Sequence, residues 1–319
     1  MLKINQLDKF FGKKQVLHQI SFEIKRGHIV GLIGANGAGK TTIMKAILGI
    51  TAFDGDIQLD DQKITVDNHS ALEHVGALIE YPGLYPYLTG REQLLLFANG
   101  PQRHERVNQT IEELHLAAYA DVKTKKYSLG MRQKLGIALA FVNRPELVIL
   151  DEPMNGLDPK ATMALRQLII RKRDEGTTFL ISSHILSELQ KVADDVIIID
   201  QGRLIIDATM SELLKKSQTY FWIATDQDEL AQKLLAEQGY VVSNEEQGLK
   251  ISRSSISSIN DLLKLLWRKD IVIKDIKETQ GDLEKSLLDV LASTNKKEAS
   301  FFGHLSYCLL YTSDAADEG

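Results

Sequence analysis

Gly34-Ala35-Asn36-Gly37-Ala38-Gly39-Lys40-Thr41 fits the spacing GxxxxGK followed by Ser or Thr. The apolar run Ile29 to Ile33 before it predicts a short buried strand, and Thr41 to Leu48 after it predicts a helix. A strand, a glycine-rich loop and a helix in that order form a phosphate site. Glycine permits backbone shapes that a side chain forbids, so successive N–H groups converge on phosphate oxygens. The positive end of the following helix faces the same anion. Lys40 is positioned to reach the outer phosphates and the Thr41 hydroxyl to ligate Mg²⁺. The candidate nucleotide-binding residues here are Gly34, Ala35, Asn36, Gly37, Ala38, Gly39, Lys40, Thr41 and Thr42.

Leu147-Val148-Ile149-Leu150-Asp151-Glu152 reads as a second buried strand ending in two acids. In α/β folds the carboxyl ends of such strands are where ligands bind. Asp151 is the candidate to hold Mg²⁺ through water. Glu152 points to the other side of an extended chain, where it can polarise an attacking water.

The remaining pattern predicts an α/β protein with a mainly parallel, covered sheet. Residues 1–25 alternate like a small antiparallel sheet, and 84–145 turn mostly helical, with apolar spacing of three and four in 92–98 and 131–142. A helix opens at Pro159, a third strand runs 178–182, a helix 185–193, and a hairpin 196–206 turns at Asp200-Gln201-Gly202. Composition shifts near 215. Beyond it the order is strand 219–225, helix 228–238, strands 240–243 and 248–252, helix 257–268 and strand 271–276, a ferredoxin-like βαββαβ order. A helix at 281–292 closes that unit. Trp222 and Trp267 read as core. The stretch Ser306 to Gly319 departs from the pattern. It resembles spurious translation of adaptor sequence, with a natural disordered tail as the alternative.

Six features in order identify a family. Besides the loop and the acidic strand, Tyr127-Ser128-Leu129-Gly130-Met131 resembles a variant of the LSGGQ signature, and Asn155-Gly156-Leu157-Asp158 resembles a D-loop. His184 falls at the switch histidine and Phe11, before Gly12, at the position that stacks on adenine. Over about residues 1–215 the chain resembles the ATP-binding cassette of ABC transporters, a P-loop NTPase with an antiparallel β subdomain and a helical subdomain. Individually these features are weak. Ser128 is a good helix cap, and a lone histidine is more often structural.

The resemblance implies ATP and Mg²⁺ as cofactors and ATP hydrolysis as the activity. Lys40, Glu152 and His184 are then catalytic, and Phe11, Ser128, Gly130 and Asp158 contact nucleotide. It further implies a second ATP-binding subunit, most simply a second copy. Ser128 and Gly130 of one face the phosphate loop of the other. The implied partners are integral-membrane permease subunits, with the cassette bound peripherally at the cytoplasmic face of the membrane.

The chain departs from the family at Val75-Gly76-Ala77-Leu78-Ile79-Glu80-Tyr81-Pro82, where Glu80 replaces the usual glutamine. Glu80 is a candidate nucleotide and metal contact, or a solvated loop acid. Together with Tyr81-Pro82-Gly83-Leu84-Tyr85-Pro86, Leu129 and Met131, it is similar to the ATPases of bacitracin and lantibiotic self-protection exporters. The unit at 219–292 resembles the accessory C-terminal domain of that subgroup, and 298–319 is left as a tail.

The bulk numbers agree with a globular protein of about two domains. There are 319 residues, 44% hydrophobic and 25% charged. Net charge is −5 and no basic block appears, so a nucleic-acid partner is not expected. No run of 18 uncharged apolar residues occurs, and Met1 to Asn5 lacks the apolar core of a signal peptide. The single cysteine, Cys308, rules out an internal disulfide and fits a reducing compartment. A rival class is a soluble ABC protein on ribosomes or DNA. The first carries two cassettes per chain and the second long coiled coils, and neither is present. A regulatory module without turnover is opposed by Lys40, Asp151, Glu152 and His184.

Overall fold

The computed structural model describes residues 1–216, 219–245, 248–256 and 258–280. The predicted helix at 281–292, Cys308 and the tail at 298–319 lie outside the described residues. The chain divides into a compact unit Met1–Met210 and a second from Ser211 onward. The first unit begins with strands β1 (Leu2–Phe11), β2 (Lys14–Ile24) and β3 (Ile29–Ile33), then helix α1 (Lys40–Ile47). Strands β4 (Asp54–Leu59), β5 (Gln62–Lys63) and β6 (Val75–Leu78) precede helices α2 (Gly90–Phe97), α3 (Arg103–Glu113) and α4 (Leu129–Phe141). It continues with β7 (Leu147–Leu150), α5 (Pro159–Asp174), β8 (Thr178–Ser183), α6 (Leu186–Leu189), β9 (Asp195–Asp200), β10 (Arg203–Thr209) and, across the boundary, α7 (Met210–Lys216).

Two sheets build this unit. An antiparallel sheet has the order β2-β1-β4-β5, and a mainly parallel one β10-β9-β3-β8-β7-β6. Alternation along β1 and β2 buries Leu2, Ile4, Leu7, Leu17, Ile20, Phe22 and Ile24 on one face. These join Ile43, Met44 and Ile47 of α1 and Val30 and Leu32 of β3 in one core, so α1 is clamped between the sheets. The central parallel strands are covered on both faces. Every residue of β3, β7 and β8 is buried, as the apolar runs Ile29–Ile33, Leu147–Leu150 and Phe179–Ile181 at their centres require.

The structure corrects the sequence expectations in several places. The helix expected over 185–193 is one turn, Leu186–Leu189. Leu189 is buried against the bare backbone of Gly31, where a Cβ would lie 2.9 Å from its Cδ1. The chain must then enter β9 beside β3, and the Asp194 N–H bonds the Ile29 carbonyl at 2.8 Å. Val75–Leu78, to which the sequence pattern assigns no element, is a parallel edge strand paired with β7. Gly76 permits its close packing, since a Cβ there would lie 1.9 Å from the Ala140 carbonyl oxygen.

The second unit contains β11 (Thr219–Thr225), α8 (Asp228–Glu237), β12 (Val242–Glu245), β13 (Gly248–Ser252), α9 (Ile259–Trp267) and β14 (Ile273–Gln280). Its sheet order, β12-β13-β11-β14 with every pair antiparallel, is the ferredoxin-like arrangement. Ile223, Leu249 and Ile251 pack under Ala231, Leu235, Leu262 and Leu266 of the two helices. Trp267 is not core: it ends α9 and is 63% exposed, because the buried stripe of that helix is Leu262 and Leu266.

Candidate nucleotide site

Strand order assembles the site. Strand β8 lies between β3 and β7, pairing parallel with both. The loop after β3, the acids after β7 and Ser182 to His184 at the end of β8 therefore emerge side by side. They lie at the carboxyl ends of the strands, the usual crevice of open α/β sheets.

The phosphate loop is shaped by glycine where the backbone demands it. Gly37 and Gly39 have φ of +84° and +113°, a region that favours glycine. Gly34 is packed so closely that a Cβ would lie 2.4 Å from the Ile199 carbonyl oxygen. Gly39 is the N-cap of α1 and supplies no side chain to cap it. The first N–H groups of that helix, at Lys40, Thr41 and Thr42, have no partner within the helix and suit an anion. The buried Lys40 ammonium donates to the Gly34 carbonyl at 2.7 Å and the Ala35 carbonyl at 3.3 Å. Asn36 and Gly37 are exposed at the loop tip, whereas Ala38 is buried. The Ala38 carbonyl accepts from the Gly202 N–H at 2.9 Å, which ties the loop to the β9–β10 turn.

The two acids have separate surroundings. Asp151 is buried; its Oδ2 accepts from the Thr41 hydroxyl at 2.7 Å and its Oδ1 from the Ser182 hydroxyl at 2.5 Å. Glu152 is not extended as its position after a strand suggests. It has φ of +47°, a strained shape for a residue with a side chain. That kink carries its carboxylate toward Lys40 and His184. Oε1 lies 3.3 Å from Lys40 Nζ, and Oε2 lies 2.9 Å from His184 Nδ1. Gln133 of α4 holds the same turn from the other side, donating to the Pro153 carbonyl at 3.2 Å. Ser182 and Gln133 were missed in the sequence because nothing local marks them. Ser182 follows the apolar run Phe179–Ile181 and Gln133 lies between Arg132 and Lys134, so neither stands out from its neighbours.

The other predicted residues fall into distinct places. Phe11 is 55% exposed beside the β1–β2 turn, with Lys9 Nζ 4.6 Å from its ring centroid; Phe10 is exposed too. Glu80, at φ +58°, forms an ion pair with Lys45 of α1 at 2.7 Å. Ser128 caps α4, its hydroxyl accepting from the Met131 N–H at 3.3 Å. Asp158 caps α5 through the Ala161 N–H at 2.8 Å, and that bond holds its carboxyl below the ordinary range. Gly130 sits against the D-loop, where a Cβ would lie 2.9 Å from the Gly156 carbonyl oxygen. Among the described residues no hydrogen bond or ion pair joins Ser128 or Gly130 to the phosphate loop of the same chain.

The donor chemistry suits a magnesium nucleotide. Thr41 Oγ1 and Asp151 Oδ2 are adjacent hard oxygens, the kind Mg²⁺ takes. Among the described residues no cluster of three or more His, Cys, Asp or Glu side chains is placed to hold a metal by itself. Mg²⁺ commonly completes its shell with phosphates and water. Glu152 Oε1 is buried without a hydrogen bond, so a proton donor is welcome there.

A family model described as ABC transporter matches residues 17–155. The chain is 34% identical over 290 residues to the bacitracin transport ATP-binding protein BcrA of Enterococcus faecalis, covering 89% of this chain and 94% of that one. The chain belongs to the ABC transporter ATP-binding family. This cassette is also 37% identical over 209 residues to the lantibiotic transport ATP-binding protein SrtF of Streptococcus pyogenes, covering 65% of this chain and 90% of the relative. A solved ATP-binding subunit of an ABC transporter superposes with a TM-score of 0.63 at 31% identity, over 67% of this chain and 92% of the other. A dimeric cassette in a post-hydrolysis state with ADP and Pi shares the fold, with a TM-score of 0.61 at 23% identity over 66% of this chain and 99% of that one. As a family member, the cassette binds and hydrolyses ATP, and subunits of this kind dimerise and work with membrane permeases. The rival reading as a soluble protein on ribosomes or DNA has no support among these relatives. No helix among the described residues is long and apolar enough to cross a membrane.

Proposed function

We propose that this cassette powers export of a peptide antibiotic through separate integral-membrane permease subunits, from the cytoplasmic face of the membrane. Two copies pair head to tail in this reading. Ser128 and Gly130 of one copy complete the phosphate site of the other, consistent with their lack of any bond to the phosphate loop of their own chain. Residues 1–215 form the cassette and 219–292 its accessory domain.

The observation that carries the proposal is the placement of the Glu152 carboxylate between Lys40 and His184. The backbone of Gly34 to Gly39 and the N–H groups of Lys40, Thr41 and Thr42 cradle the phosphates, while Lys40 neutralises the outer ones. Phe11 offers its exposed face to the adenine. Thr41 and Asp151, with Glu80 nearby on the loop after β6, would hold Mg²⁺, which offsets charge on the transferring phosphoryl group. Glu152 accepts a proton from the attacking water as the bond between the γ-phosphorus and the bridging oxygen breaks. His184 orients Glu152 through the Oε2 contact and follows the γ-phosphate, so its loss on hydrolysis is read as motion.

Antibiotic export rests on the similarity to BcrA and SrtF and on Glu80 with its Tyr-Pro-rich loop. The test is to solubilise membranes that express the chain with its flanking gene products. Recovery with an integral-membrane protein, and ATPase stimulated by a bacitracin-type peptide, is the expected result. Recovery with ribosomes alone overturns the proposal.

A further inference from the structure

We infer that Ser182 is a positioning residue that aligns both acids of the hydrolytic site through a single hydroxyl. The inference rests on the proposed roles of Asp151 and Glu152 and adds a residue that no motif marks. Ser182 is fully buried on β8, between the strands that carry the phosphate loop and the acids. Its Oγ accepts the Glu152 N–H at 2.8 Å and donates to Asp151 Oδ1 at 2.5 Å. One hydroxyl supplies one donor and two acceptor lone pairs, so both bonds form together.

Each bond has a consequence. Glu152 holds φ of +47°, and such a shape persists only where surroundings over-determine it. The Ser182 acceptor fixes the N–H of that residue and so the direction in which its carboxylate leaves the backbone. Asp151 is held at both oxygens, by Ser182 at Oδ1 and by Thr41 at Oδ2. Without Ser182 the carboxylate is free to turn about its last bond, and the Glu152 N–H loses its acceptor. The neighbouring Ser183 braces the turn into α6 instead, its hydroxyl donating to Glu188 and accepting from the Ile185 N–H.

The test uses the full chain with MgATP and measures turnover, equilibrium binding of a fluorescent ATP analogue, and thermal midpoint. Ser182→Ala is expected to lower kcat about 10- to 100-fold, the usual loss when a supporting partner of a metal ligand is removed. Analogue affinity is expected to stay within about threefold, because the loop and helix that bind phosphates are untouched. Ser182→Thr keeps the hydroxyl and should recover most of the rate. The double variant Ser182→Ala with Glu152→Gln should lose less rate than the product of the two single losses, since part of the effect of Ser182 passes through Glu152 and the rest through Asp151. If Ser182→Ala does not fold, Ser182→Cys fills the same space with a weak hydrogen-bonding group and should show the same split. Unchanged turnover in Ser182→Ala or Ser182→Cys overturns the inference. So does a joint loss of rate, affinity and midpoint that Ser182→Thr fails to repair. If Glu152→Gln turns over normally, the site reading fails instead. If Glu152→Gln is slow and Ser182→Ala is not, only the role of Ser182 is lost.

Discussion

Glu152 Oε2 lies 2.9 Å from His184 Nδ1, while the other oxygen of the same carboxylate lies 3.3 Å from Lys40 Nζ. One side chain thus spans the end of β7, the end of β8 and the phosphate loop. Glu152→Gln keeps the shape and removes the basicity. Hydrolysis is expected to slow by about 10²–10⁴-fold, the usual worth of a general base, with ATP still bound. Steady-state turnover beside equilibrium nucleotide binding checks it, and normal turnover removes Glu152 from the chemistry.

Glu80 shares an ion pair with Lys45 and is largely exposed. If it also contributes to the metal, Glu80→Gln withdraws one negative charge from the cation. A unit charge at close range in water is worth about 1 kcal/mol, so the Mg²⁺ concentration for half-maximal turnover should rise about fivefold. A Mg²⁺ titration decides this. An unchanged midpoint confines Glu80 to its pair with Lys45.

Gly202 turns the β9–β10 hairpin between two other elements. Its N–H donates to the Ala38 carbonyl and its carbonyl accepts from the His18 N–H. With φ of +73° and a Cβ position 1.9 Å from the Val16 carbonyl oxygen, alanine does not fit without backbone movement. Gly202→Ala should destabilise the first unit by about 2 kcal/mol or more, measured by denaturant unfolding, and weaken nucleotide binding through the phosphate loop. A stability equal to that of the parent would show that the turn yields freely.

Burial pushes the Asp200 carboxyl above its ordinary range, partly opposed by a hydrogen bond from the Gln201 N–H. Because the folded value is the higher one, this group binds more protons folded than unfolded. Its contribution is fully present below the ordinary carboxylate value and is lost as pH rises through the folded value. At neutral pH the ionised side chain therefore opposes folding. Asp200→Asn should raise the thermal midpoint at pH 7 relative to the parent, and the difference should vanish near pH 3. A gain that persists in acid would assign the effect to something other than charge.

Much of the site was legible because its residues sit in short runs with chemical meaning. Gly34 to Thr42, Asp151, Glu152 and His184 follow apolar strands, and the sheet brings those strand ends together. Ser182 was not legible: it reads as one more small residue in Thr178–Ser183, and its role depends on which strands lie on either side. Glu152 was legible as an acid but not as a kink, because its φ is set by contacts from β8 and α4 rather than by its neighbours in sequence. Trp267 misled for a related reason. Its burial is decided by the rotation of α9 over the sheet, and Leu262 and Leu266 take the inward face.

The sequence by itself determined which groups are available: a glycine loop that a phosphate fits, two acids after an apolar run, and a histidine after another. Spacing over about ten residues suffices for that, since strand and helix periods are local. Only the tertiary structure decided that Thr41 and Asp151, 110 residues apart, share a hydrogen bond. Only there does β8 enter between β3 and β7, so that Ser182 touches both acids. That order follows from burying three mostly apolar strands between covered faces, a long-range arrangement that no local pattern encodes.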